Sequence, residues 1–393
     1  MQGVKFIDEV EIKNKKVFLR VDFNVSLNPN YTVADDARIT QTLPTIQYLL
    51  KNKNRLIIVS GLNRPKKRDP KLSLNVVAKK LHSYLPAYKV SVVNDFLTDS
   101  SPLEKQKENE VLFLENIRFY PEEKKNDQGF AKKLASLADL YVNDAFGVCH
   151  RTEASIVSVP KFLPAYGGLL LKKEITTISQ SIRKPKKPFV AIIGGAKIET
   201  KINMIDKLTE IADYILVGGG LANTFLYAHG YEIGNSYCEY KKVAQAKHLL
   251  FLAAQKHTEI VLPSDVIIGN PNNTEDVGVV RRSNDIPKDA RILDIGPDTQ
   301  AKFGAIIAKA KTIIWNGPVG FIENPVYKRG TDFIYYSIAQ NTSSTSIVGG
   351  GDTLAAISKK EYLDKITHIS TGGGAMLEFI EKGTLPGIEA LKK

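Results

Sequence analysis

Short β-branched runs alternate with amphipathic helical stretches from one end of this 393-residue chain to the other. In the first half the strand-like runs lie at 17–23, 56–59, 90–93, 111–114 and 140–142, with helical periodicity between them at 38–50 and 74–85 among others. The second half repeats the rhythm at 189–193, 214–217, 260–262, 292–294, 312–315, 346–348 and 368–370. Runs joined by helix-length crossovers pair in parallel, and a parallel sheet buries both faces under those helices. The expected class is therefore α/β. A chain this long exceeds what one hydrophobic core usually supports, so it reads as two doubly wound parallel-sheet domains, Rossmann-like in architecture. They are expected at 1–165 and 166–380, with the tail of about 380–393 packing back on the first. The connector at 159–173 carries Pro160, Pro164, Gly167 and Gly168 and turns helical at 169–178. It reads as a hinge helix with its hinge at 164–168.

Three triple-glycine clusters, Gly218-Gly219-Gly220, Gly349-Gly350-Gly351 and Gly372-Gly373-Gly374, each follow an apolar run and open a helical stretch. A helix N-terminus exposes unpaired amides and the positive end of its dipole, and glycine lets a phosphate approach that backbone closely. A fourth junction, Gly194-Gly195-Ala196-Lys197, adds cations. Lys197 and Lys201 are four apart, so on a helix they share a face and reach one phosphate chain. A tight strand-to-helix turn asks for the same glycines, so one cluster decides nothing. Four in one half-chain favour phosphate sites.

The first half carries arginines at its strand ends: Arg20, Arg38, Arg64, Arg118 and Arg151, with His150 beside the last. Guanidinium groups grip phosphate and carboxylate through paired hydrogen bonds. Arg20, Asp22 and Asn24 are spaced i, i+2, i+4, which puts all three on one face of a strand. Ligands of doubly wound sheets bind beyond the carboxyl ends of the strands, so two such domains on a hinge are expected to line a cleft with both sets of loops.

Composition narrows the partners. Lys and Arg number 54 against 42 Asp and Glu, a net +12. The excess is scattered in short groups at 13–16, 64–68 and 183–187, and no basic run is interleaved with aromatics, so a small polyphosphate explains it as well as nucleic acid does. Cys149 and Cys238 are too few for a disulfide framework. No signal-peptide core and no membrane-length apolar run is found. The expectation is a cytoplasmic protein with neither membrane nor nucleic-acid partner. A nicotinamide dehydrogenase is disfavoured because no G-x-G-x-x-G follows an early strand, and a P-loop nucleotidase because G-x-x-x-x-G-K-[ST] is absent.

The motifs V-F-L-R-V-D-F-N-V, L-E-N-I-R-F-Y-P-E-E and V-N-D-A-F-G followed by H-R-x-x-A-S occur in the first half. G-G-A-K-x-x-x-K-I, V-G-G-G, L-D-I-G-P, W-N-G-P-V-G, I-V-G-G-G-D-T and I-S-T-G-G-G follow in the second. In order and spacing this set resembles the phosphoglycerate kinase family over essentially the whole chain. The resemblance implies reversible phosphoryl transfer from 1,3-bisphosphoglycerate to Mg-ADP, giving 3-phosphoglycerate and ATP, by a monomer with no covalent intermediate. It implies that Arg20, Asp22, Asn24, Arg38, Arg64, Arg118, His150 and Arg151 hold the triose substrate. Gly194, Gly195, Ala196, Gly218, Gly219, Leu293, Asn316, Pro318 and Glu323 would frame the adenosine, and Lys197, Lys201, Gly349, Gly350, Gly351 and Thr353 the phosphates. Asp352 would bind the magnesium that travels with the nucleotide. Arg38, Lys197, Gly351 and Gly374 are the expected catalytic set.

Two departures from the family pattern stand in the triose site. The loop usually written S-H-L-G-R-P is S-G-L-N-R-P at 60–65, so Gly61 replaces a histidine and Asn63 a glycine. Losing a charged hydrogen bond to an anion costs ~1.5–3 kcal/mol, so weakened triose binding is expected; the alternative is a nucleotide-binding relative whose turnover is weakened or lost. Asn tolerates a left-handed backbone next best after Gly, which favours an intact loop. Glu153 stands where some members have a second histidine. In the second half, Phe321-Ile322 stands where the family commonly has V-F, which would reshape the base pocket slightly.

Overall fold

The computed structural model describes residues 3–357 and 360–392. They form two compact units, one of residues up to Thr176 together with those from Thr384 on, the other Thr177–Gly383.

The first unit is built on a six-stranded parallel sheet of β1 (Lys16–Arg20), β2 (Arg55–Val59), β3 (Lys89–Val93), β4 (Glu110–Leu114), β5 (Leu140–Asn143) and β6 (Ala165–Gly167). Its order is β3-β4-β2-β1-β5-β6. The central strands are buried without alternation, as they must be when helices cover both faces. Ile39, Ile46 and Leu49 of helix Ala37–Lys51 complete a core with Val17, Leu19, Ile58 and Phe113. This order sets β4, β2, β1 and β5 side by side, so loops that are distant in sequence leave one edge together.

Two expectations change here. The first strand ends at Arg20, so Asp22 and Asn24 lie beyond the sheet and share no strand face with it. The 164–168 segment, expected as the hinge, is taken up as β6: Tyr141 N–H bonds the Pro164 carbonyl at 2.9 Å and Gly167 N–H that of Lys5 at 2.9 Å. A three-residue strand between Pro164 and Gly168 is too short to show periodicity. The following helix, Leu169–Arg183, contains the division between units.

The second unit has its own six-stranded parallel sheet of β7 (Phe189–Ile193), β8 (Tyr214–Val217), β9 (Glu259–Val261), β13 (Thr312–Asn316), β14 (Thr345–Gly349) and β15 (His368–Ser370). The order β15-β14-β13-β7-β8-β9 reverses direction between β7 and β13, the place where such sheets open a crevice. Val190, Ile192, Trp315, Val348, Phe303 and Ile334 fill one side of it. A separate antiparallel sheet holds β10 (Asp265–Ile268), β11 (Val279–Arg282) and β12 (Ile292–Ile295) in the order β11-β10-β12. The run at 292–294 was expected in the parallel sheet and belongs here. β11 and β12 both pair antiparallel with β10 between them, and the joining segments contain no helix of the length a paired parallel crossover needs.

All three triple-glycine clusters open helices, at Gly219–His229, Gly351–Ala356 and Gly373–Lys382. After Gly194-Gly195 the chain stays irregular until Ile202–Thr209. Lys197 and Lys201 therefore do not share a helix face. Among the described residues no helix is long and apolar enough to cross a membrane.

Candidate active site

In the first unit the predicted basic residues follow the carboxyl ends of the four adjacent strands. Arg20 ends β1, Arg64 follows β2, Arg118 lies in a turn after β4, and His150 and Arg151 follow β5. Arg38 opens helix Ala37–Lys51, and its Nη1 donates to Asp22 Oδ2 at 2.8 Å and to the Asn24 carbonyl at 3.0 Å. Asn24 Oδ1 accepts the Asn63 amide at 2.7 Å, tying the 60–65 loop to the end of β1. Arg118 Nη1 donates to the Asn63 carbonyl at 2.6 Å. Asn116 holds the same loop from beneath, accepting Leu62 N–H at 3.0 Å and donating to its carbonyl at 2.9 Å. Burial, and the nearby charges of Arg20 and Arg151, lower the Arg118 pKa while Glu153 opposes them. A guanidinium remains charged under such a shift.

Arg20 departs from the expected role. Its side chain is fully buried, with Nε donating to Ser155 Oγ at 2.7 Å and Nη1 to the Val21 carbonyl. Arg38, Arg64 and Arg151 retain solvent exposure. Sequence pattern alone could not separate these arginines, because each follows a strand.

In the second unit a cavity of ≈ 720 Å³ opens beside the β7/β13 reversal. The predicted Gly195, Ala196, Gly219, Leu293, Pro318 and Glu323 line it. So do Asn223, Leu226, Asn235, Tyr237, Val266 and Asn272, which the sequence reading missed. Val266 and Leu293 come from the unforeseen antiparallel sheet, which forms one wall. Apolar walls with a few asparagines and two acids, Asp294 and Glu323, suit a flat heteroaromatic ring carrying polar substituents.

The glycines at this cavity serve a purpose other than exposing amides. Gly194 N–H bonds the Asn316 carbonyl, Gly195 that of Pro318, Gly218 that of Ile193 and Gly219 that of Val319, all at 2.7–3.0 Å. A Cβ on Gly194 would stand 2.1 Å from the Pro318 oxygen, and one on Gly218 2.5 Å from Val319 Cβ. These amides are spent inside the protein, so here the close-packing reading of the glycines replaces the phosphate one.

Clusters 349–351 and 372–374 differ. They abut each other, with a Cβ on Gly373 falling 2.6 Å from Gly350 Cα, yet a Cβ on Gly351 or Gly374 would meet nothing within 4 Å. Open space lies in front of those two positions, at the starts of two helices. Three side chains lock the neighbouring strand ends. Lys201 Nζ donates to the Gly194 carbonyl (2.6 Å), the Asn316 carbonyl (3.1 Å) and Asn316 Oδ1 (2.8 Å). Asn316 Nδ2 donates to the Gly349 carbonyl at 2.9 Å. Thr353 Oγ1 accepts Gly317 N–H at 2.7 Å and donates to the Gly349 carbonyl at 2.8 Å. Lys201 and Thr353 thus brace the ends of β7, β13 and β14 from buried positions, while Lys197 is exposed. The side chain of Asp352 lies outside the described residues.

A model of the phosphoglycerate kinase family matches residues 7–383. The chain belongs to that family. It is 46% identical over 388 residues to the phosphoglycerate kinase of Moorella thermoacetica, covering 98% of both chains. It is 43% identical over 397 residues to a cytosolic phosphoglycerate kinase of Nicotiana tabacum, covering 99% of this chain and 98% of the relative. The solved phosphoglycerate kinase of Coxiella burnetii superposes with a TM-score of 0.86 at 37% identity, over 99% of this chain and 98% of that one. Membership of the family accounts for both glycine- and arginine-rich sets at once, and it carries no support for a relative that has lost turnover.

Proposed function

We propose that this chain transfers a phosphoryl group between the acyl phosphate of 1,3-bisphosphoglycerate and Mg-ADP. In reverse, a 3-phosphoglycerate carboxylate oxygen attacks the γ-phosphorus of ATP, and the bond from that phosphorus to the ADP oxygen breaks. The observation that carries this reading is a set of arginines gathered at the strand ends of the first unit and an apolar-walled cavity with a few polar groups in the second, in a chain that matches the family throughout.

The triose is assigned to Asp22, Asn24, Arg38, Arg64, Arg118, His150 and Arg151. Adenine and ribose are assigned to the cavity, with Glu323 toward the ribose and Tyr237 and Leu226 against the base. The phosphates are assigned to the open ground before Gly351 and Gly374 and to the exposed Lys197. Phosphoryl transfer has a loose transition state with charge on three equatorial oxygens, so positioned amides and cations do most of the work. Magnesium carried by the nucleotide would supply positive charge to offset that of the phosphates. Asp352 is its assigned ligand. Donor and acceptor are bound by different units, so we assign hinge bending to the step that brings them into line and excludes water. A cytoplasmic, monomeric enzyme completes the reading, its location supported by the cytosolic designation of the tobacco relative.

The direct test is ATP consumption dependent on 3-phosphoglycerate and magnesium in a coupled assay. Turnover is expected. Nucleotide binding without turnover would overturn the proposal.

A further inference from the structure

Five side chains of the first unit form a buried series that leads to the triose site. The Glu123 carboxylate accepts the Ser155 amide at 2.9 Å and the Ser155 hydroxyl at 2.5 Å. That hydroxyl accepts from Arg20 Nε at 2.7 Å. Arg20 Nη2 faces Glu153 Oε2 at 4.0 Å, and Glu153 Oε1 accepts from Arg151 Nη1 at 3.0 Å. Exposure rises along the series: 0% for Ser155 and Arg20, 1% for Glu123, 8% for Glu153, and 34% for the Arg151 side chain. Acidic and basic side chains alternate outward from Glu123 through Arg20 and Glu153 to Arg151, with the neutral Ser155 between the first two, and only Arg151 is substantially exposed.

An inward-turned Arg20 cannot grip a substrate anion directly, yet its charge sits behind one that can. Glu153 is extended, at φ −76° and ψ 153°, and stands two residues after Arg151, a spacing at which side chains of an extended segment leave on the same side. Its carboxylate is shared between the buried guanidinium and the half-exposed one. At 4.0 Å the Arg20–Glu153 approach is an ionic contact too long to be a hydrogen bond, whereas Glu153–Arg151 is a true hydrogen-bonded pair. The pattern anchors a flexible arginine, whose rotamer freedom is then lost before substrate arrives.

We infer that Arg20 and Glu153 are positioning residues of the triose site, with Glu153 pinning Arg151 in the orientation that meets the substrate anion and the Ser155–Glu123 pair pinning Arg20 beneath it. The inference rests on the assignment of Arg151 to the triose. It gives Glu153, where some family members carry histidine, a specific task in this chain.

The test is a double-mutant cycle on the full-length protein with Glu153→Gln and Arg151→Gln, reading the 3-phosphoglycerate KM, the ATP KM and kcat. Glu153→Gln alone should raise the 3-phosphoglycerate KM about tenfold while the ATP KM and kcat move less than about twofold, and in the Arg151→Gln background it should add almost nothing. A lowered KM would overturn the inference, because it would make Glu153 a competitor of the substrate. Unchanged KM, or effects that simply add, would overturn it too. Arg151→Gln without any change in KM would instead sink the triose assignment. If Glu153→Gln does not fold, Ser155→Ala replaces it in the cycle with the same expected non-additivity.

Discussion

Gly61 and Asn63 depart from the family at single positions, and their surroundings decide what the departures mean. Asn63 adopts φ +56°, the left-handed conformation the usual glycine would supply, and its amide and carbonyl are bonded by Asn24 and Arg118. The loop shape is therefore kept. At Gly61 an added Cβ would stand 2.6 Å from Arg118 Nε, 2.8 Å from Cδ and 2.9 Å from Cγ. The arginine stem lies where a side chain would begin, so restoring the histidine forces Arg118 to move. Gly61→Ala should raise the 3-phosphoglycerate KM by roughly ten- to a hundredfold, about the worth of one charged hydrogen bond, with the ATP KM unchanged; an unaltered triose KM in steady-state kinetics would mean that Arg118 relaxes freely. Lys197 makes the contrasting case. It is exposed, follows the cavity-lining Ala196 and is assigned to the phosphates, so Lys197→Ala should lower kcat by about two orders of magnitude or more with nucleotide affinity nearly intact. Equal losses in both would contradict a role confined to the transition state.

The C-terminal segment is the element whose removal has the clearest consequence. Helix Pro386–Glu389 docks on the first unit through Gly387 N–H to the Cys149 carbonyl at 2.8 Å, and a Cβ on Gly387 would press within 2.8 Å of Ile156. Leu385, Ile388 and Leu391 are buried there, each contributing ~1.5–3 kcal/mol by transfer from water. Ending the chain after Gly383 should lower Tm by roughly 10 °C or more. It should also uncover Cys149, whose thiol burial pushes up to about 12 and keeps inert. Thiol labelling of the folded full-length protein should be confined to Cys238, and in the shortened chain both should react; labelling that stays at Cys238 would show that the tail is not the cover.

On the scale of the whole molecule, each unit carries one buried acid whose pKa is raised to about 7. Burial does this to Asp144 in the first unit, against hydrogen bonds from Thr45 and the Leu171 and Leu170 amides. It does the same to Asp294 in the second, against the Gly330 and Ile295 amides. The unfolded acids titrate near 3.8, so the folded chain holds these protons more tightly. Their contribution to stability is complete below about pH 4 and is lost as pH rises through 7. Tm should fall between about pH 4 and pH 7 and level off above that, and Asp144→Asn should flatten that slope; a variant with the wild-type slope would mean that Asp144 is not the proton's site.

The periodic alternation of strand and helix was legible without the structure because it repeats within windows of a few turns. Length, the two parallel sheets and the helices opening at the triple glycines follow from that local pattern, and the spaced motifs carry the family. What no window contains is the strand order. Only the fold decides that β4, β2, β1 and β5 stand together, that Arg20 turns inward to Ser155, and that Lys201 ties the ends of β7 and β13 together from a buried position. The same holds for the amides of Gly194, Gly195, Gly218 and Gly219, spent on backbone partners that include loop residues a hundred positions away. The amino-acid sequence by itself determined which groups could bind phosphate, because that is a property of the side chain and the local turn. Tertiary structure decided which of those groups face a ligand, because exposure and pairing depend on what packs against each one.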